Sequence, residues 1–176
     1  MFSHLKPTWC VPSLVDVDLE ALYTKGIRAL LVDLDNTLAT YDAPSVDRRT
    51  GAWLSRATAL GIEAIVFSNN HEPRVETMAK ALGLKYVANA KKPLPRAYRR
   101  ALSVLGYPPS QVAAIGDQLF TDVFGGNAAG LVTVLVRPLG RQEFVGTRLV
   151  RPVEGLVLRG LGIRYGRVEE SLQHSS

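Results

Sequence analysis

The chain has 176 residues, 47% of them hydrophobic and 21% charged, which suits one folded domain with a sizeable core and excludes a disordered or fibrous chain. Its single cysteine, Cys10, excludes an intramolecular disulfide and any cysteine-rich zinc site, and it suits a reducing compartment. The net charge of +5 gathers in two clusters, Lys91, Lys92, Arg96, Arg99 and Arg100, then Arg148, Arg151, Arg159, Arg164 and Arg167; such patches favour phosphorylated substrates, anionic lipid or nucleic acid without choosing among them.

Residues 1–17 are interrupted by Lys6, Pro7, Pro12 and Asp16 and hold no apolar core of signal-peptide length. No window approaches the roughly 18 apolar residues of a spanning helix. The expected location is therefore cytoplasmic, or peripheral on the inner face of a membrane. The first strong element, 28–32, is a short apolar run that reads as a fully buried strand. It ends in Asp33-Leu34-Asp35-Asn36-Thr37-Leu38. Further strand-like runs follow at 63–67, 85–88, 112–115 and 131–136. Helix-period segments lie between them at 46–60, 72–82, 94–105 and 119–129, and Gly61, Gly83, Gly106 and Gly130 stand where helix stops belong. Alternating strands and helices with short links predict an α/β fold, a doubly wound parallel sheet. Residues 1–146 form the expected main domain. Residues 147–176 read as a basic amphipathic appendage, with a helix near 149–161 whose first turn holds Pro152.

Polar residues gather where these strands end, and ligands of open α/β sheets bind beyond the carboxyl ends of the strands. Two aspartates spaced i, i+2 at the rim of a core imply a cation, because an unpaired carboxylate there is costly. The second strand ends in Ser68-Asn69-Asn70, the third leads to Lys91-Lys92-Pro93, and the fourth ends in Gly116-Asp117 with Asp122 five residues on. Taken singly, each has an ordinary explanation as a cap, a turn or a surface loop. Four in this order on consecutive strand ends are much harder to dismiss. His4, His71 and His174 lie outside these clusters and read as solvent-exposed. Gly125-Gly126-Asn127 lacks the order of a nucleotide loop and precedes a strand, and Trp9 and Trp53 read as packing residues.

Asp33-Leu34-Asp35-Asn36-Thr37, Ser68, Lys92-Pro93 and Gly116-Asp117 through Asp122 resemble the four motifs of the haloacid dehalogenase (HAD) superfamily of aspartate-nucleophile phosphatases. The wording Asp-Leu-Asp-Asn-Thr-Leu, Ser-Asn-Asn and Gly-Asp-Gln-Leu-Phe-Thr-Asp-Val-Phe-Gly-Gly-Asn is similar to the YqeG-like branch of capless subfamily IIIA, which includes mitochondrial phosphatidylglycerophosphatases. The resemblance implies a HAD-like Rossmannoid fold and an Mg²⁺-dependent phosphomonoester hydrolase working through an aspartyl phosphate. It implies Asp33 as nucleophile and Asp35 as general acid and base. Asp33, the backbone carbonyl of Asp35 and Asp117 would hold the metal. Ser68, Asn69 and Lys92 would hold the substrate phosphate, and Asp122 would steady Lys92 or a metal-bound water. Lys91 competes for the lysine role, but the residue immediately before Pro93 matches the motif.

Only 32 residues separate Asp35 from Ser68, and 23 separate Ser68 from Lys92. Neither interval has room for an inserted cap domain. Capless members resemble enzymes whose phosphate sits on something large, so the expected substrate is phosphatidylglycerophosphate at an anionic membrane surface. A phosphoprotein, a nucleic-acid end or a soluble phosphometabolite is the alternative. A third reading is a non-catalytic RNA- or ribosome-binding protein on the same fold. In the tail, Val150, Val153, Leu156, Val157 and Leu161 recur at helical spacing beside Arg148, Arg151 and Arg159. That pattern fits a helix docked on the domain or one lying on lipid.

Overall fold

The computed structural model describes residues 2–40, 45–140, 145–163 and 165. It opens with two elements that the hydropathy pattern does not announce. Strand β1 (Trp9–Val11) has only three residues, and helix α1 (Leu19–Thr24) has six. Asp18 caps α1, its carboxylate accepting from the Ala21 amide at 2.8 Å. The alternation then runs as expected: β2 (Ala29–Val32), α2 (Arg48–Ala59), β3 (Glu63–Phe67), α3 (Glu72–Leu82), β4 (Lys85–Val87), α4 (Pro95–Leu105) and β5 (Val112–Gly116). Gly83 and Gly106 end α3 and α4 in the left-handed conformation, at φ 67° and 74°, as helix-stop glycines do. The single helix expected over 119–129 is a π-helix (Leu119–Phe124) running into a short α5 (Gly125–Ala128). Strand β6 (Val132–Val136) and helix α6 (Val145–Gly160) complete the described chain.

All six strands are parallel, in the order β1-β6-β5-β2-β3-β4. The chain steps outward from β2 to β4, then returns to place β5 on the other side of β2. The carboxyl ends of β2 and β5 therefore flank the point where the winding reverses, the usual crevice for a ligand. Successive residues of β2 face opposite layers. Leu30 and Val32 pack with Leu22, Trp53, Val75 and Met78 under α1, α2 and α3, whereas Ala29 and Leu31 pack with Ala97, Tyr98 and Ala101 of α4. Trp53 is a packing residue, as expected, its indole N–H reaching the Val17 carbonyl at 3.1 Å. Among the described residues, no domain is inserted between the strand ends. The intervals measured along the chain are filled by α2 and β3, then by α3 and β4.

The C-terminal helix differs from its expected form. It begins at Val145, so Pro152 lies in its interior, not in its first turn. It docks on the main domain. Val157 and Leu158 pack on a cluster of Cys10, Leu119, Val123 and Leu135, and the buried Glu154 accepts from the Phe120 amide at 3.2 Å. Val153 and Leu156 face outward, 50% and 65% exposed. The side chains of Arg148, Val150 and Arg151, and residues Arg164 and Arg167, lie outside the described residues, as does His174. Burial pushes the Cys10 thiol up to about 12, so this cysteine is a core hydrophobe and not a nucleophile.

Candidate active site

Asp33 follows β2 directly, and its amide extends the ladder to the Ile115 carbonyl at 2.9 Å. The chain then closes a tight loop in which Asn36 adopts φ 62° and its amide meets the Ala39 carbonyl. Asn tolerates this left-handed conformation better than most residues. At the end of the neighbouring strand β3, the Ser68 amide donates to the Val87 carbonyl, and the Ser68 hydroxyl accepts from the Asn70 amide at 3.1 Å. Asn69 joins this loop to the next. Its Oδ1 accepts from the Lys92 amide at 2.7 Å, and its Nδ2 donates to the Lys92 carbonyl at 3.1 Å. The Asn69 side chain, expected at the phosphate, is thus engaged with the Lys92 backbone.

That clamp turns Lys92 inward while Lys91 remains exposed, so the lysine beside Pro93 is the one that enters the site. Its ammonium donates to Asp33 Oδ1 at 2.7 Å, to Asp122 Oδ1 at 2.6 Å and to the Phe67 carbonyl at 3.0 Å. Three protons meet three acceptors. Asp122 is further fixed by the Gln118 amide, which reaches its Oδ2 at 3.1 Å. Asp33, Asp117 and Asp122 are all buried, and one oxygen from each lies within 4.8 Å of the others. Burial raises the carboxyl of Asp33 well above the usual carboxylate range; Lys92 opposes that rise, while Asp122 and Asp117 add to it. Burial alone would lower Lys92, yet the carboxylates of Asp122 and Asp33 outweigh it and raise the ammonium above the ordinary lysine range.

Among the described residues, the carboxylates of Asp33, Asp117 and Asp122 gather beside the Lys92 ammonium in a buried cluster, a set of hard oxygen donors that would suit a divalent cation. Asp122 is committed to Lys92 and to the Gln118 amide, which leaves Asp33 and Asp117 as the side chains best placed to hold it. The Asp35 carboxylate stands outside this cluster. Its Oδ1 accepts from Arg74 Nε at 3.0 Å and Nη2 at 2.9 Å, and its Oδ2 accepts from Asn70 Nδ2 at 2.9 Å. The group of Asp35 expected at a metal is its backbone carbonyl, and the side chain is engaged elsewhere.

Two participants escaped the sequence reading. Arg74 looks like any arginine on an exposed helix, yet it sits in the first turn of α3, where a cation opposes the helix dipole. That misplacement was a usable signal. Tyr98 lies inside α4 with its hydroxyl 2.5 Å from the Thr121 carbonyl, and nothing in its spacing separates it from an ordinary core residue.

The model of the haloacid dehalogenase-like hydrolases matches residues 10–130, more than half of the chain. The chain belongs to this family. Among curated relatives of this haloacid dehalogenase-like hydrolase, the probable phosphatase YqeG of Bacillus subtilis (strain 168) is 34% identical, over 88% of this chain and 90% of its own. The chloroplastic phosphatidylglycerophosphate phosphatase 1 of Chlamydomonas reinhardtii is 30% identical over 84% of this chain, and the chloroplastic/mitochondrial one of Arabidopsis thaliana 29% over 87%. The alignments cover 59% and 47% of those two longer proteins. Among solved structures, the cobalt-bound deoxy-D-mannose-octulosonate 8-phosphate phosphatase of Haemophilus influenzae superposes with a TM-score of 0.53, over 78% of this chain and 91% of its own, at 19% identity. The 3-deoxy-D-manno-octulosonate 8-phosphate phosphatase of Yersinia pestis gives 0.53 at 22% identity, over 82% and 85%. At these identities the superpositions speak for the fold alone.

Proposed function

We propose that this hydrolase cleaves phosphomonoesters through an aspartyl phosphate, and that its substrate is phosphatidylglycerophosphate. The observation that carries the reading is the Lys92 ammonium bridging Asp33 and Asp122 beside Asp117, at the ends of two strands where the winding reverses. Asp33 attacks phosphorus, forming its acyl phosphate as the alcohol leaves. Asp35 gives that alcohol its proton and then takes one from the water that hydrolyses the intermediate. Ser68 and the backbone amides that follow it hold the phosphoryl oxygens, and Lys92 neutralises their charge. Asp122 keeps Lys92 in place. Asp33, Asp117 and the Asp35 carbonyl would hold Mg²⁺, which when bound would supply positive charge to offset the repulsion between two anions.

The substrate reading has two supports. Relatives at 30% and 29% identity are named for phosphatidylglycerophosphate. Exposed apolar residues also stand near exposed basic ones along the chain: Leu94 and Leu139, in the segments that follow β4 and β6, are close in sequence to Lys91, Arg96 and Arg137, and α6 exposes Val153 and Leu156 near Arg159, a mixture suited to an anionic lipid surface. The test is phosphate release from a panel of phosphorylated lipids, nucleotides and sugars. Turnover should require Mg²⁺, stop with EDTA, and fall by several orders of magnitude in Asp33→Asn; unchanged turnover in that variant would remove the nucleophile. A soluble ester preferred about a hundredfold in kcat/KM, roughly 2.7 kcal/mol of transition-state preference, would remove the lipid.

A further inference from the structure

The ion pair of Arg74 with Asp35 enters no step above, and its geometry is specific. An ionised carboxylate offers about four lone-pair positions. Arg74 fills two on Oδ1, through Nε and Nη2, and Asn70 fills one on Oδ2. Among the described residues, three of the four are thus taken, and the position left is on Oδ2. That oxygen faces the Ser68–Asn70 loop, because its partner Asn70 is the residue whose amide donates to the Ser68 hydroxyl. Arg74 is itself tied to the segment after β2, Nη2 donating to the Thr40 carbonyl at 3.2 Å.

We infer that Arg74 and Asn70 are positioning residues that confine the working proton of Asp35 to Oδ2, the oxygen turned toward the phosphate loop. This rests on the phosphatase reading. In the first half-reaction the Oδ2–H proton passes to the ester oxygen as its bond to phosphorus breaks. In the second, Oδ2 takes a proton from the water whose oxygen bonds to phosphorus as the acyl phosphate of Asp33 opens. Both transfers use one atom. Without Arg74 the carboxyl group rotates, and the proton spends part of its time on an oxygen that faces neither partner.

A poor leaving group needs that proton and a good one does not, so the test is the dependence of kcat/KM on leaving group. Wild type and Arg74→Gln are compared on glycerol 1-phosphate, phenyl phosphate and 2,4-dinitrophenyl phosphate. Arg74→Gln should lose about 10- to 100-fold on the alkyl ester, a share of the 10²–10⁴ that a positioned general acid contributes, and far less on the dinitrophenyl ester. In an Asp35→Asn background the same substitution should leave the leaving-group dependence unaltered. Circular dichroism and thermal melting check the fold; should Arg74→Gln not fold, Asn70→Ala and Arg74→Lys carry the same comparison. An equal loss on all three esters means a merely structural role and overturns the inference. A wild type that hydrolyses neither these three esters nor phosphatidylglycerophosphate overturns the phosphatase reading, and this inference with it.

Discussion

Lys92 is the residue on which the buried charges of the site depend. Among the described residues its ammonium stands beside three buried carboxylates, and it touches two of them at 2.7 and 2.6 Å. Replacing it by methionine keeps the volume and removes the ion pairs of Asp33 and Asp122 with the ammonium. Removing one partner of a buried ion pair typically costs about 3–5 kcal/mol, so urea unfolding of Lys92→Met in EDTA should show a loss of that order. Mg²⁺ should restore part of it, since an ion bound only by the folded state adds stability by mass action. A variant as stable as wild type in EDTA would mean that the carboxylates take up protons instead. The sign with pH follows from the raised ammonium. Stability due to Lys92 is complete below the ordinary lysine value of about 10.4 and drains away only above it, so the loss in Lys92→Met should be full at neutral pH. The choice of Lys92 over Lys91 was legible in the sequence, through Pro93. The partnership of Asp35 with Arg74 was not, because 38 residues intervene and only the packing of α3 beside the β2 loop brings them together.

The π-helix that carries Asp122 shows why spacing alone under-determines an element. A single helix over 119–129 is what the pattern suggests, but the wider turn at Leu119–Phe124 lets the Asp122 carboxylate come back against Gly116 at the end of β5. A Cβ at Gly116 would occupy the space of the Asp122 carboxylate. Gly116 thus does more than turn the chain. Gly125 and Gly126 are likewise small for packing: a Cβ on the first would lie 2.6 Å from the Tyr98 ring, and one on the second 2.7 Å from Thr133 Cγ2. Gly116→Ala should therefore push Asp122 off Lys92, lower kcat by at least about tenfold and cost roughly 1–3 kcal/mol, the usual price of overpacking. Normal kcat in that variant would show that Asp122 does not steady the lysine. The long strands and helices were readable because each offers several apolar residues at one period. Strand β1 was not, since Trp9-Cys10-Val11 is too short to show a period and is held by its pairing with β6. The early start of α6 was hidden by Pro152, which argues for a helix beginning nearby and instead sits inside one.

At the scale of the whole molecule, the absent cap and the docked tail bear on the same question. With no domain inserted among the described residues over the carboxyl ends of the strands, water over the proposed acyl phosphate would have to be excluded by something outside the fold. Among the described residues, two of the six large exposed hydrophobics, Leu94 and Leu139, lie in segments that follow strand carboxyl ends, and two more, Val153 and Leu156, lie on α6. Helix α6 buries Glu154, Val157 and Leu158 against the domain and so holds Val153 and Leu156 outward beside the exposed Arg159. Docking on the domain and resting on lipid, alternatives when only the pattern was known, would use different faces of one helix. The protein should therefore sediment with vesicles containing anionic phosphatidylglycerol and ignore neutral ones. It should be released as salt rises, because the attraction is screened over about 8 Å at physiological ionic strength. The double variant Leu156→Asp, Arg159→Glu alters side chains that contribute little to the core. It should weaken sedimentation and slow turnover of phosphatidylglycerophosphate in vesicles, while hydrolysis of phenyl phosphate continues at the wild-type rate. Equal losses on both substrates would mean that the substitutions undock α6 and disturb Phe120 and the π-helix beyond it. Unaltered sedimentation would mean that another face meets the membrane, and the exposed apolar residues of α6 would then need a different partner.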